Sequence, residues 1–121
     1  MNQRILLIDD DPLVLKSFSR LLQREGYAVL TAASANEAIA AISEKEFDLV
    51  LSDIRMPGKN GVEAVAEIQA RLLEAGKKDL PIIFITGYSD LSASLKAPFH
   101  GEVLQKPVDN ERLLFAVRDY L

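Results

Sequence analysis

Three aspartates, one lysine and one threonine are the residues whose types and spacing could do chemistry. Asp9 and Asp10 follow the apolar run Ile5-Leu6-Leu7-Ile8, and Asp53 closes Leu49-Val50-Leu51-Ser52. Thr86 closes Ile82-Ile83-Phe84-Ile85, and Lys106 follows Glu102-Val103-Leu104-Gln105. Short apolar runs bounded by turn residues suit strands buried on both faces. Open parallel sheets of such strands place their ligands at the carboxyl ends, where all five residues would then lie. A carboxylate there is costly unless something pairs with it. Three carboxylates at one rim also repel, so they need a cation or a shared proton. Oxygen donors with no cysteine or local histidine suit a hard ion, Mg²⁺ or Mn²⁺. Mg²⁺ keeps several waters and takes one or two carboxylates plus a phosphate. Lys106 and Thr86 opposite would hold phosphoryl oxygens. The chemistry this predicts is phosphoryl transfer to a carboxylate nucleophile.

The elements that must position these residues follow in order. A first strand over Arg4–Ile8 runs into Asp11-Pro12, an N-cap followed by proline at the first helical position. The helix behind it shows Val14, Phe18, Leu21 and Leu22 on one face and stops near Gly26. Ala28–Ala32 reads as a weaker strand, placed at an edge. Ser34 and Glu37 form a capping box for a helix that packs Ala38, Ile39 and Ile42. The strand ending at Asp53 breaks at Pro57-Gly58, and a loop through Gly61 leads to a helix with Val62, Val65, Ile68 and Leu72 inward. After the strand Ile82–Thr86 comes a short, weak helix over Ser89–Ala97, closed by Pro98. Asp109 caps a last helix that buries Leu113, Leu114, Val117 and Leu121. Strand and helix alternate five times. That pattern implies an α/β fold, a doubly wound parallel sheet of five strands with helices on both faces and right-handed crossovers.

Composition narrows the function classes. The chain has 121 residues, of which 49% are hydrophobic, enough for one domain with a real core but not two. No apolar run approaches bilayer length, and no signal-peptide pattern follows Met1. With zero cysteines there are no disulfides or thiolate metal sites, and a cytoplasmic location fits. A net charge of −4 argues against direct nucleic-acid binding through a basic face.

At Leu7-Ile8-Asp9-Asp10-Asp11, Asp53-Ile54-Arg55-Met56-Pro57-Gly58, Thr86-Gly87 and Lys106-Pro107 the chain resembles the response-regulator receiver domains of bacterial two-component signalling, the CheY-like family. The motifs stand in the family's order and near its spacing, over the whole chain. Each is weak alone; together they are specific. The resemblance implies a flavodoxin-like three-layer sandwich with strand order 2-1-3-4-5, and a single receiver domain over residues 1–121. It implies that Asp53 is the phosphorylation site. Asp10, Asp53 and the backbone carbonyl of Arg55 would ligate Mg²⁺, with Asp9 helping partly through water. Lys106 would contact the phosphoryl group, and Thr86 would shift inward to follow it. A cis Lys106-Pro107 bond is expected, and Gly87 would leave the acceptor open. Arg55 and Tyr88 would border the phosphoryl group and set its lifetime. The implied phosphodonor is a histidine kinase or histidine phosphotransfer protein. An output domain outside this segment and a homodimer both stay open, as do a free-standing receiver, a hybrid kinase and a transcription factor.

Two departures from the family pattern stand out. Val103 occupies the place of the usual Tyr or Phe, and valine cannot swing as an aromatic switch does. The stretch between Thr86 and Lys106 is also short. Phe84-Ile85-Thr86-Gly87-Tyr88 partly resembles a receiver subgroup that lacks that aromatic.

Other readings compete. An aspartate-nucleophile phosphohydrolase would want a second acid two residues after Asp53, where Arg55 stands, and a cap domain for which there is no room. A flavin or nucleotide binder would want a glycine-rich loop where Asp9-Asp10-Asp11 would repel phosphate. A degenerate receiver would serve only for docking, against which the intact acids argue. The chain is therefore expected to be a switch that assists its own phosphorylation, not an enzyme. Asp11 is expected to be only a cap, His100 a loop residue without a catalytic part, and Arg71, Lys77 and Lys78 a solvated helix end. Phe115 and Tyr120 are expected to add an exposed face to the last helix.

Overall fold

A computed structural model describes residues 3–87 and 100–121. The expected helix over Ser89–Ala97, together with Tyr88 and Pro98, lies outside the described residues. Five strands, β1 (Arg4–Ile8), β2 (Ala28–Ala32), β3 (Leu49–Asp53), β4 (Ile82–Thr86) and β5 (Gly101–Gln105), pair in parallel in the order β2-β1-β3-β4-β5. Four helices are described: α1 (Pro12–Arg24), α2 (Ala35–Glu44), α3 (Gly61–Glu74) and α4 (Asn110–Tyr120). β2 is an edge strand, as its weak pattern suggested.

Side chains alternate across the sheet because the strand period is two. Ile5, Leu7, Leu49, Leu51, Ile83 and Ile85 join Leu22, Leu113 and Val117 in a core under α1 and α4. Leu6, Ile8, Val50, Ile82 and Phe84 join Ala38, Ile42, Val65 and Ile68 in a second core under α2 and α3. Most of these strand residues are fully excluded from water. Burying one Ile or Leu stabilises by roughly 2 kcal/mol relative to exposure. Continuous apolar runs are thus the signature of a sheet covered on both sides.

Helix starts follow local chemistry. Asp11 Oδ1 accepts from the Leu13 N–H at 2.9 Å, and Asp109 Oδ1 from the Arg112 N–H at 2.7 Å, so Asp11 is a cap as expected. Ser34 Oγ accepts from the Glu37 N–H at 3.2 Å, but Glu37 reaches the Ala33 N–H rather than that of Ser34, so half of the expected box is displaced by one residue. The reciprocal box sits instead at Asn60 and Glu63, heading α3. On α1, Leu15 rather than Val14 joins the packed stripe with Phe18 and Leu21. Adjacent apolar residues at 14 and 15 leave the helical face ambiguous by one position.

Candidate functional site

The strand order reverses between β1 and β3, and ligands of such sheets gather at that switch point. Ile8 pairs with Ser52 across it, so Asp9 and Asp53 leave the two central strands side by side. Asp9, Asp10 and Asp53 each offer a carboxylate oxygen, and these oxygens lie within 4.8 Å of one another. Asp9 is buried, Asp53 half-buried and Asp10 exposed, giving a graded opening to solvent. The Lys106 ammonium enters from beyond β5, 3.6 Å from Asp53 Oδ2 and 3.9 Å from Asp9 Oδ2. Those separations are ion-pair contacts, longer than charge-assisted hydrogen bonds.

The carboxylates are anchored by their own loops. Asp9 Oδ1 accepts from the Asp11 N–H at 2.9 Å and Asp53 Oδ1 from the Ile54 N–H at 2.7 Å. Burial pushes the Asp9 carboxyl above the usual carboxylate range, and the negative charges of Asp53 and Asp10 push the same way. The Asp11 N–H and Lys106 oppose this, but do not cancel it. Among the described residues, three acids against one ammonium leave surplus negative charge. Oxygen donors so grouped fit a hard divalent cation, which needs no thiolate or imidazole.

Thr86 is buried at the end of β4, and its carbonyl accepts the Lys106 N–H at 2.7 Å. That bond extends the β4–β5 ladder by one residue and ties the threonine to the lysine through the backbone. The Lys106-Pro107 peptide is cis, as expected. Arg55 is exposed in the loop after β3, between the buried Ile54 and Met56, and Gly58 takes φ 77° at the Pro57-Gly58 break. Gly87 is exposed, and a Cβ there would meet nothing within 4 Å among the described residues.

Other singled-out residues fall elsewhere. His100 precedes β5 at the opposite pole, its ring edge-on to Tyr120 with centroids 5.6 Å apart. Tyr120 is half-buried against the α1/α4 core, not part of an exposed face; Phe115 is exposed, at 62%. Val103 is half-buried against the α2/α3 core. Arg71 and Lys77 lie within ion-pair reach of Glu67 and Glu46.

Two residues at the acidic rim were not read from the sequence. The Ser52 hydroxyl donates to the Asp53 carbonyl at 2.8 Å. Gly61 opens α3 so close to β3 that a Cβ would stand 1.9 Å from that same carbonyl oxygen. The Asn60-x-x-Glu63 box was legible and would have placed the start of α3. The approach of Gly61 to Asp53 is tertiary and had no local signal.

The family model described as response regulator receiver domain matches residues 5–118. The transcriptional regulatory protein GlrR of Escherichia coli is 37% identical over 119 residues, covering 97% of this chain. This chain spans only 26% of that relative's length. The response regulator TrrA of Thermotoga maritima, solved in complex with Mg²⁺ and BeF, superposes with a TM-score of 0.85 at 34% identity, covering 98% of this chain and 99% of that one. The chemotaxis protein CheY4 of Vibrio cholerae superposes with a TM-score of 0.88 at 30% identity over 100% of both chains. Aligned strand order, clustered acids and whole-chain similarity agree: this chain belongs to the response regulator receiver domain family.

Proposed function

We propose that Asp53 is the phospho-acceptor of a two-component phosphorelay, and that residues 1–121 form one receiver domain. The observation that carries this reading is the meeting of three carboxylates within 4.8 Å, with the Lys106 ammonium 3.6 Å from Asp53. Asp9, Asp10, Asp53 and the backbone carbonyl of Arg55 would hold Mg²⁺; Mn²⁺ offers the same hard-ion chemistry. A bound Mg²⁺ would neutralise charge on the transferring phosphoryl oxygens. The donor is a phosphohistidine on a histidine kinase or phosphotransfer protein. An Asp53 oxygen attacks phosphorus, the phosphorus–nitrogen bond breaks and the imidazole leaves, taking up a proton. Lys106 balances the phosphoryl charge from the opposite side, and the buried Thr86 hydroxyl closes on a phosphoryl oxygen. Changing Arg55 or Tyr88 is expected to alter how long the acyl phosphate lasts.

The domain acts as a switch, not as an enzyme with a turnover of its own. Adding charge to an over-acidic rim shifts a surface equilibrium that a partner reads. GlrR is by name a transcriptional regulatory protein, which supports an output domain beyond this segment. A homodimer is a second route for output. Among the described residues no helix is long and apolar enough to cross a membrane, and phosphorelay chemistry of this kind suits the cytoplasm. The test is incubation with acetyl phosphate and Mg²⁺ followed by intact mass. Wild type should gain one phosphoryl group and Asp53→Ala none; labelling of Asp53→Ala to the wild-type level would refute the assignment.

A further inference from the structure

The oxygens of Asp53 are not equivalent. Oδ1 accepts the Ile54 N–H at 2.7 Å, whereas Oδ2 faces Lys106 at 3.6 Å. The Ile54 N–H belongs to the same peptide unit as the Asp53 carbonyl. That carbonyl accepts the Ser52 hydroxyl at 2.8 Å. A single hydrogen-bonded chain therefore runs from Ser52 Oγ, through one peptide unit, to the acceptor carboxylate. The next peptide is held as well, since the Gly61 N–H donates to the Ile54 carbonyl at 2.7 Å. Gly61 closes over the Asp53 carbonyl from the α3 side.

We propose that Ser52 is a positioning residue for phosphoryl transfer: its hydroxyl fixes the plane of the Asp53–Ile54 peptide, which holds Oδ1 and presents Oδ2 as the nucleophile. This rests on Asp53 being the phospho-acceptor. Three facts carry it. Ser52 is fully buried, so its hydroxyl must be satisfied within the protein, and the Asp53 carbonyl accepts it. Strand alternation sends the Ser52 side chain toward α3 and away from the carboxylate, so it acts through the backbone and not by touching the phosphoryl group. A donor on a carbonyl polarises the N–H of the same peptide, strengthening its grip on Oδ1. Without the hydroxyl the peptide can rock, and Asp53 spends less time aligned for in-line attack.

The test measures acetyl phosphate labelling at saturating Mg²⁺ for wild type, Ser52→Ala and Ser52→Thr, with thermal melts of each. Ser52→Ala should label roughly tenfold more slowly, while Ser52→Thr, which restores the hydroxyl, should stay within about twofold of wild type. A purely structural hydroxyl would lower the melting temperature of Ser52→Ala and leave the labelling rate alone. A folded Ser52→Ala labelling at the wild-type rate overturns the proposal, as does a folded Ser52→Thr as slow as the alanine variant. If Ser52→Ala does not fold, Ser52→Cys takes its place, with an intermediate rate expected from its weaker donor and a wild-type rate counting against. A wild type that takes no phosphoryl group refutes the acceptor assignment itself; a labelled wild type with unaffected serine variants refutes only the role of Ser52.

Discussion

The two ends of the sheet treat charge differently. At the amino ends of the strands, charged groups find partners locally. The Arg4 N–H donates to Asp48 at 2.8 Å, its guanidinium to the Glu46 carbonyl at 2.9 Å, and Lys77 lies 3.6 Å from Glu46. A groove of about 660 Å³ opens there, lined by cations and acids in mixture. At the carboxyl ends, three carboxylates cluster, and among the described residues only the Lys106 ammonium pairs with them, reaching Asp9 and Asp53. Balanced charge around a groove reads as surface structure, despite the groove's size. Unbalanced charge at a topological switch point costs stability, which is reason to look there for function.

The contrast can be broken or sharpened by substitution. The largest effect is expected at Lys106. Lys106→Ala removes the only cation within 4.0 Å of the Asp53 and Asp9 carboxylates among the described residues. Labelling by acetyl phosphate should fall by roughly 10²-fold, in the range seen when one charge-stabilising donor is lost from an active site. A rate within threefold of wild type, to order of magnitude, would deny the lysine its role. A smaller effect of unusual sign is expected at Asp10. In Mg²⁺-free buffer, Asp10→Asn relieves like-charge repulsion and should stabilise the fold by about 1 kcal/mol, raising the melting temperature by roughly 4 °C. Added Mg²⁺ should erase that advantage, because only wild type gains from the ion. The smallest effect is expected at the balanced end. Glu46→Gln breaks an exposed pair and should change stability by no more than about 0.5 kcal/mol, with or without Mg²⁺. Equal responses at Asp10 and Glu46 would erase the distinction between the two ends.

Much of this was written in local patterns. Runs such as Ile5–Ile8 and Ile82–Ile85 predict buried strands because a doubly covered sheet needs no polar alternation. Asp11-Pro12 and Asp109 mark helix starts because capping is satisfied within three residues. Strand order was implied by the family resemblance, since alternation alone does not choose among doubly wound orders. Facts that need two distant segments were out of reach. Ser52 looks like one polar residue in an apolar strand, since its bond to the next carbonyl is local but the burial that enforces it is tertiary, and Gly61 looks like loop punctuation. Their meaning appears only when α3 starts against the end of β3. Tyr120 is half-buried for the same reason: it packs against the α1/α4 core, and its ring meets His100, which lies outside α4.

The most direct test of the central claim is a calorimetric Mg²⁺ titration of metal-free wild type, Asp10→Asn and Asp53→Asn. Surplus charge stored at the rim to hold a divalent ion predicts one binding site in wild type, lost or strongly weakened in both variants. Binding that persists unchanged in both variants, or none in wild type, would contradict it.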